Sequence, residues 1–140
     1  MEKRAASMRM AISVALGSGL GGTCRVAVET MLGSFSGAMF PYGTLAVNVL
    51  GSFVIGVAAI VAAPEGRLFA GPTVRQFFMA GFCGGFTTFS FFSLETMELI
   101  TTGRFPAAFL YVVLTLSLAM LAVWLGYLAG LRANGLRKAQ

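Results

Sequence analysis

The chain has 140 residues, of which 57% are hydrophobic and 11% are charged, and its formal net charge is +5. About a quarter of the residues in a soluble domain are charged, so this composition indicates a membrane protein. The sequence contains no histidine and no aspartate, which excludes a Ser-His-Asp triad, an aspartyl dyad and a histidine metal site within this chain. Most classes of membrane enzyme are therefore excluded.

Uncharged stretches predict four membrane spans, because a spanning helix needs about 20 apolar residues. The gaps hold 15, 35, 19 and 27 residues and lie between Arg9 and Arg25, Glu29 and Glu65, Arg75 and Glu95, and Arg104 and Arg132. The first gap is long enough if Arg25 or the stretch after it lies at membrane depth. The chain is thus predicted to be an all-α integral membrane protein with four transmembrane helices, over residues 8–28, 43–63, 74–97 and 107–131.

The first span follows Lys3, Arg4 and Arg9, a basic start that a secretory signal peptide also has. No A-x-A cleavage pattern follows, and the rest of the chain is equally hydrophobic, so we interpret this segment as a transmembrane helix. The second span begins after Pro41, in keeping with the preference for proline near a helix start.

The third span is predicted to be broken near residues 84–88. Gly84 and Gly85 are followed closely by Thr87 and Thr88, and these residues are poor helix formers. Broken helices in transporters and channels bind ions through the freed backbone groups. The alternative is that the glycines allow close helix packing and that no ion is involved.

Polar side chains within the spans are the candidate functional residues, since such groups are costly in a membrane. Asn48 lies near the middle of the second span, and Thr44 and Ser52 lie four residues to either side, so the three form one polar stripe. The stripe is consistent with the lining of a water-filled path, although a lone asparagine can also form a hydrogen bond with a neighbouring helix. In the fourth span Tyr111 and Ser117, with Thr115 between them, allow the same two interpretations.

Phe89 and Phe92 are three residues apart, so they share a face if the segment after the break is helical. An aromatic ring is positive at its edge and can approach an anion there, although most phenylalanines in a membrane protein contact lipid or pack. Arg25 is the only basic residue inside a span or at its edge. It either raises the anion concentration at a pore mouth or reaches the lipid headgroups.

Three motifs give the chain a strong resemblance to the Fluc, or CrcB, family of fluoride channels: GSGLGGTCR (17–25), PYGTLAVNVLGSFVIG (41–56) and GFCGGFTTFSFFSLE (81–95). The resemblance implies a fluoride-selective channel made of two antiparallel four-helix subunits with two narrow pores. It also implies a structural sodium ion at the dimer centre, held by the backbone carbonyls of Gly84 and Thr87.

The resemblance also implies roles for individual residues. The pore phenylalanines of the family match Phe89 and Phe92, and its pore asparagine matches Asn48. Its polar track matches Ser90, Ser93 and Glu95 and, in a weaker alignment, Tyr111 and Ser117. The chain departs from the family at Phe91, where a threonine is usual. One hydroxyl of the polar track is therefore expected to be absent at this position.

The basic residues also depart from what an antiparallel homodimer requires. With four spans, eight basic residues lie on the side of the N-terminus and two on the other, and basic residues favour the cytoplasmic side. Either this bias is overridden and the chain forms a homodimer, which we favour, or it pairs with an oppositely oriented partner.

The sequence therefore predicts a channel in the cell inner (plasma) membrane that exports fluoride passively and performs no catalysis. The rival interpretation is a small four-helix proton-coupled drug or guanidinium transporter, which needs a carboxylate at mid-membrane in its first helix. Glu29 is the only candidate and lies at the far end of that helix. A structural membrane subunit without transport is a third interpretation.

Overall fold

Four helical spans form the protein in a computed structural model that describes residues 2–36, 40–63, 66 and 71–138. The first span is α1 (Glu2–Ser36) and the second is α2 (Tyr42–Val61). The third consists of two parts, α3 (residues 72–86) and α4 (Phe89–Thr101), and the fourth is α5 (Phe105–Lys138). All four are long and apolar enough to cross a membrane. The prediction of four transmembrane helices is confirmed.

The third span is interrupted at two residues. Its first part, α3, consists of α-helix over Pro72–Gln76, wider π-helical turns over Phe77–Cys83 and one further α-helical turn over Gly84–Phe86. Thr87 and Thr88 are extended, with ψ angles of 160° and 122°, and α4 then runs over Phe89–Thr101. The predicted break is present, and it is confined to the two threonines because both glycines remain helical.

Glycines bring α1 close to α3. A side chain on Gly17 or Gly21 would overlap the backbone of α3, and one on Gly81 or Gly85 would overlap the backbone of α1. Small residues four positions apart allow this approach because they leave the two backbones in direct contact. Gly81 and Gly85 therefore pack against α1, while Thr87 and Thr88 make the break.

The α2 and α5 helices also pack against each other extensively in the described structure. Gly56 of α2 faces the backbone of α5, and Gly126 of α5 faces the backbone of α2 at Phe53. The turn between α4 and α5 uses Gly103 with a φ angle of 73°, where its amide and that of Arg104 bond back to the last turn of α4. This turn lets α5 return beside α4.

The buried core of the described chain is small. Val47, Cys83 and Tyr111 are its largest fully buried side chains, whereas large apolar side chains are exposed on every span. In water such a surface would be unfavourable, but it suits contact with lipid. The exposed apolar surface therefore agrees with the membrane assignment.

Candidate functional site

Asn48 of α2 is hydrogen-bonded to both backbone groups of Thr88 at the break. Its Nδ2 donates to the Thr88 carbonyl at 3.0 Å, and its Oδ1 accepts from the Thr88 amide at 2.8 Å. The side-chain amide thus satisfies a donor and an acceptor that the broken helix leaves unpaired. Asn48 holds the break in place, and its second N–H remains available to another acceptor.

The two threonines at the break satisfy the adjoining helix ends. The Thr87 amide and hydroxyl both donate to the Cys83 carbonyl, at 3.0 and 2.9 Å, at the end of α3. The Thr88 hydroxyl accepts from the Phe91 amide at 3.2 Å and caps the start of α4. Hydrogen bonds therefore stabilise the break on both sides.

The carbonyls of Gly84 and Thr87 accept no hydrogen bond within the described part of the chain. The amide that would reach Gly84 in a continuous helix is that of Thr88, and it bonds Asn48 instead. Unpaired carbonyl oxygens are suitable ligands for a hard cation such as sodium. The two groups that the resemblance assigns to sodium thus have the chemistry that such an ion requires.

A second cluster of polar side chains, the Glu95 cluster, consists of Thr44, Glu95 and Tyr111 and joins three spans. The Thr44 hydroxyl of α2 donates to Glu95 Oε1 at 2.9 Å, and the Tyr111 hydroxyl of α5 donates to Oε2 at 2.7 Å. Tyr111 also contacts the Phe92 ring, with 5.3 Å between ring centroids. Both Glu95 oxygens have a donor, so the Tyr111 and Thr44 hydroxyls are engaged within the chain.

Phe89 and Phe92 lie together as predicted, with their ring centroids 5.6 Å apart. They differ in burial, because Phe92 is 8% exposed and packs in the core whereas Phe89 is 77% exposed. Ser90 and Ser93 are both exposed, and the Ser93 hydroxyl donates to the Phe89 carbonyl at 2.9 Å. The Phe89 ring and the Ser90 hydroxyl thus lie at the surface of the single chain.

An open cavity of about 380 Å³ lies against the break. The polar stripe on α2 contributes to its wall, as do both aromatic rings; its lining includes Asn48, Ser52, Thr88, Phe89, Phe92 and Thr115. Thr115 is 5% exposed, and its hydroxyl has no partner within the described structure. The cavity therefore combines apolar walls with a few hydrogen-bonding groups.

The structure divides the predicted site residues between two places. Asn48, Phe89 and Phe92 meet at the cavity. Glu95 and Tyr111 lie instead in the Glu95 cluster, which contacts Phe92 through Tyr111. Ser117 is exposed and lies on a different face of α5 from Tyr111, six positions earlier. Within one chain, Ser117 therefore does not join the other residues.

Sequence reasoning missed the role of Thr88. It identified the residue as a poor helix former but did not recognise it as both the partner of Asn48 and the cap of α4. A hydroxyl residue directly before an apolar helical run is a usual cap, and this signal was present. The pairing with Asn48 carries no such local signal.

Arg25 is half-buried on α1, and its guanidinium carbon lies 5.6 Å from the centroid of the Phe91 ring. This is the range of a cation–π contact. Phe91, where the resemblance leads us to expect a threonine, thus contacts the Arg25 guanidinium.

A four-span membrane protein with a broken third span and polar groups at the break belongs to the broad class of ion channels and transporters. A family model described as CrcB-like protein, Camphor Resistance (CrcB), matches residues 12–127. The chain belongs to the CrcB family.

Individual relatives extend the match over nearly the whole chain. The chain is 46% identical over 130 residues to the fluoride-specific ion channel FluC of Opitutus terrae, covering 93% of this chain and 98% of the relative. It is 49% identical over 124 residues to the fluoride-specific ion channel FluC 1 of Rhodopseudomonas palustris, covering 89% and 88%. The relative from Paramagnetospirillum magneticum, also named FluC, is 47% identical over 121 residues.

Proposed function

We propose that this protein is a fluoride-selective channel that lets fluoride leave the cell passively across the inner membrane. The observation that carries the proposal is the 46% identity to a fluoride-specific ion channel over 93% of the chain. Hydrogen fluoride is a weak acid that crosses membranes in its neutral form and dissociates at neutral pH inside the cell. A passive path for the trapped anion is then sufficient for export.

The cavity at the break supplies the path. Fluoride gives up water in a narrow space and gains other partners there, namely the second N–H of Asn48 and the positive edges of the Phe89 and Phe92 rings. The Ser90 hydroxyl lies next to Phe89 on the exposed surface and is the next donor along the path. Larger anions are excluded by the size of the path. Ser93, Glu95 and Tyr111 continue the polar route, and Ser117, which lies on another face of α5, can join it only across the interface with a second subunit.

A second subunit completes this path. Phe89 is 77% exposed and Ser90 is exposed beside it, so in a lone chain these groups would face lipid, which cannot hydrogen-bond a serine or shield an anion. We therefore favour an antiparallel homodimer, in which each chain covers the open cavity of the other. A partner chain of opposite orientation would serve equally.

A structural sodium ion at the dimer centre fits the unpaired carbonyls of Gly84 and Thr87. Hard cations take several oxygen ligands, and two carbonyls from one chain are too few. Gly84 is exposed on the single chain, so a second copy can bring its own pair. The ion would then link the two subunits.

The purified protein in liposomes is expected to release fluoride and to retain chloride. Fluoride and chloride efflux are measured in parallel from vesicles that contain this chain alone, with valinomycin to carry the compensating potassium. Protein-free vesicles serve as the control. Equal efflux of both anions, or no fluoride efflux from a folded preparation, would contradict the proposal, and the second result would direct attention to a partner chain.

Removal of sodium is expected to lower the thermal stability of the dimer. A ligand at 100 times its dissociation constant stabilises the folded state by about 2.7 kcal/mol. Unfolding temperature and oligomeric state are compared in sodium, potassium and N-methylglucamine chloride at one ionic strength. Identical unfolding in all three salts would exclude a specific sodium site.

A further inference from the structure

We infer that Phe91 is a positioning residue, which fixes the Arg25 guanidinium beside the first turn of α4 and so raises the rate at which fluoride reaches the path. The inference rests on the proposed function. The Phe91 ring is 46% exposed, and the guanidinium carbon of Arg25 lies 5.6 Å from its centroid. The contact joins α1 to the turn that carries Phe89 and Ser90.

No other specific contact fixes the Arg25 side chain in the described structure. Its Nε is buried without a hydrogen-bond partner. Glu29 follows one helical turn later and attracts Arg25 electrostatically, but no hydrogen bond or ion pair joins the two, and Glu29 Oε1 is itself buried without a partner. The aromatic face is therefore what sets the direction of the guanidinium.

The position of this charge matters because two carboxylates lie nearby. Glu29 interacts electrostatically with both Arg25 and Glu95, and Glu95 is the centre of the Glu95 cluster. When ionised, Glu29 and Glu95 oppose the approach of an anion, whereas a fixed positive charge offsets them. A fixed charge at the entrance of a path raises the rate at which ions of opposite charge arrive from the solvent.

The threonine that is usual in the family cannot make this contact. Threonine has no aromatic face, so it would add a hydroxyl to the polar track but release Arg25. If Phe91 merely interrupts the track, Phe91→Thr should raise the fluoride flux. If Phe91 positions Arg25, the same substitution should lower it.

The test compares fluoride flux at subsaturating fluoride for Phe91→Leu, Phe91→Thr and Phe91→Trp. We expect Leu and Thr to lower the flux by about 2- to 5-fold, the range that a surface cation–π contact allows, and Trp to retain it. The loss should shrink in 1 M salt, where charges are screened within about 3 Å. Phe109→Leu, on an exposed α5 phenylalanine, is the matched control and should leave the flux unchanged.

A double-mutant cycle with Arg25→Gln completes the test. Phe91→Leu should add little loss to Arg25→Gln, because both remove the same interaction. An additive loss, a loss of the same size in Phe109→Leu, or a higher flux in Phe91→Thr would overturn the inference while leaving the proposed function intact. A wild-type protein that conducts no fluoride would instead overturn the proposed function and the inference with it.

The same cycle measured by thermal unfolding reports on the contact independently of flux. A coupling between Arg25 and Phe91 is expected there too, and its absence would overturn the inference even in a conducting protein.

Discussion

Asn48→Asp is expected to lower fluoride flux by at least about tenfold. The aspartate would keep an acceptor for the Thr88 amide but would lose the donor that now meets the Thr88 carbonyl at 3.0 Å. Two oxygens would then face each other, and a buried acceptor without its donor costs about 1–3 kcal/mol. A negative charge would also be added to the wall of an anion path.

The measurement is fluoride efflux together with the thermal unfolding of the same preparation. Asn134→Asp is the matched control, because the Asn134 side chain donates to the Ile60 carbonyl at 3.1 Å on another part of α2. This variant should keep its flux within about twofold. If Asn48→Asp conducts like the wild-type protein, Asn48 neither holds the break in a conducting shape nor lines the path.

Gly21→Ala is expected to destabilise the fold severely. Its added methyl group would overlap the Phe82 carbonyl oxygen and the Phe86 amide of α3. Backbone atoms cannot move aside as a side chain does, so the helices must separate, and overpacking of this kind costs about 1–3 kcal/mol or more. Separation of α1 from α3 would also displace the break, so flux should be lost as well.

The control is Gly19→Ala on the same helix, where an added methyl group meets no atom within 4 Å. Thermal unfolding in detergent and the yield of dimer are compared for the two variants. Gly19→Ala should match or slightly exceed the wild-type stability, because alanine favours a helix over glycine. Equal stability of both variants would contradict the close approach of α1 and α3.

The sequence predicted the four spans because charges are excluded from the hydrocarbon core, and the gaps between charges are therefore readable. The true helices extend beyond the predicted spans at most ends; α1, for example, covers Glu2–Ser36 against a prediction of 8–28. A hydropathy pattern marks only the part of a helix that lies within the membrane. The continuation into polar residues depends on backbone hydrogen bonds, which composition does not report.

The break was predicted over residues 84–88, and the structure confines it to Thr87 and Thr88. Two alternatives had been left open, a break that binds an ion and a glycine run that allows close packing with no ion involved. The structure shows both a break and close packing in neighbouring residues, and the binding of an ion at the break stays a prediction. Gly85 is helical, and the close approach of Ser18 leaves no room for a side chain there. Sequence propensity does not separate these two uses of glycine, since each depends on the neighbouring helix.

The sequence predicted which residues belong to the candidate site but not which of them form hydrogen bonds with each other. Asn48 and Thr88 are 40 residues apart, and Thr44 and Glu95 are 51 apart, so no local pattern joins them. The polar stripe on α2 was predicted from its four-residue spacing, and the structure shows Thr44 and Asn48 bonded to the third span. The roles of the site residues in conduction remain predictions that the flux experiments address.

The interruption of the third span has an electrostatic consequence of its own. The last carbonyls of α3 and the first amides of α4 meet on either side of Thr87 and Thr88, and helix ends carry about half an elementary charge of opposite sign. The break thus brings two helix dipole ends of opposite sign close together, with negative potential at the end of α3 and positive potential at the start of α4. Such an arrangement favours a cation and an anion within a short distance of each other, and no ionised side chain has to enter the centre of the bilayer.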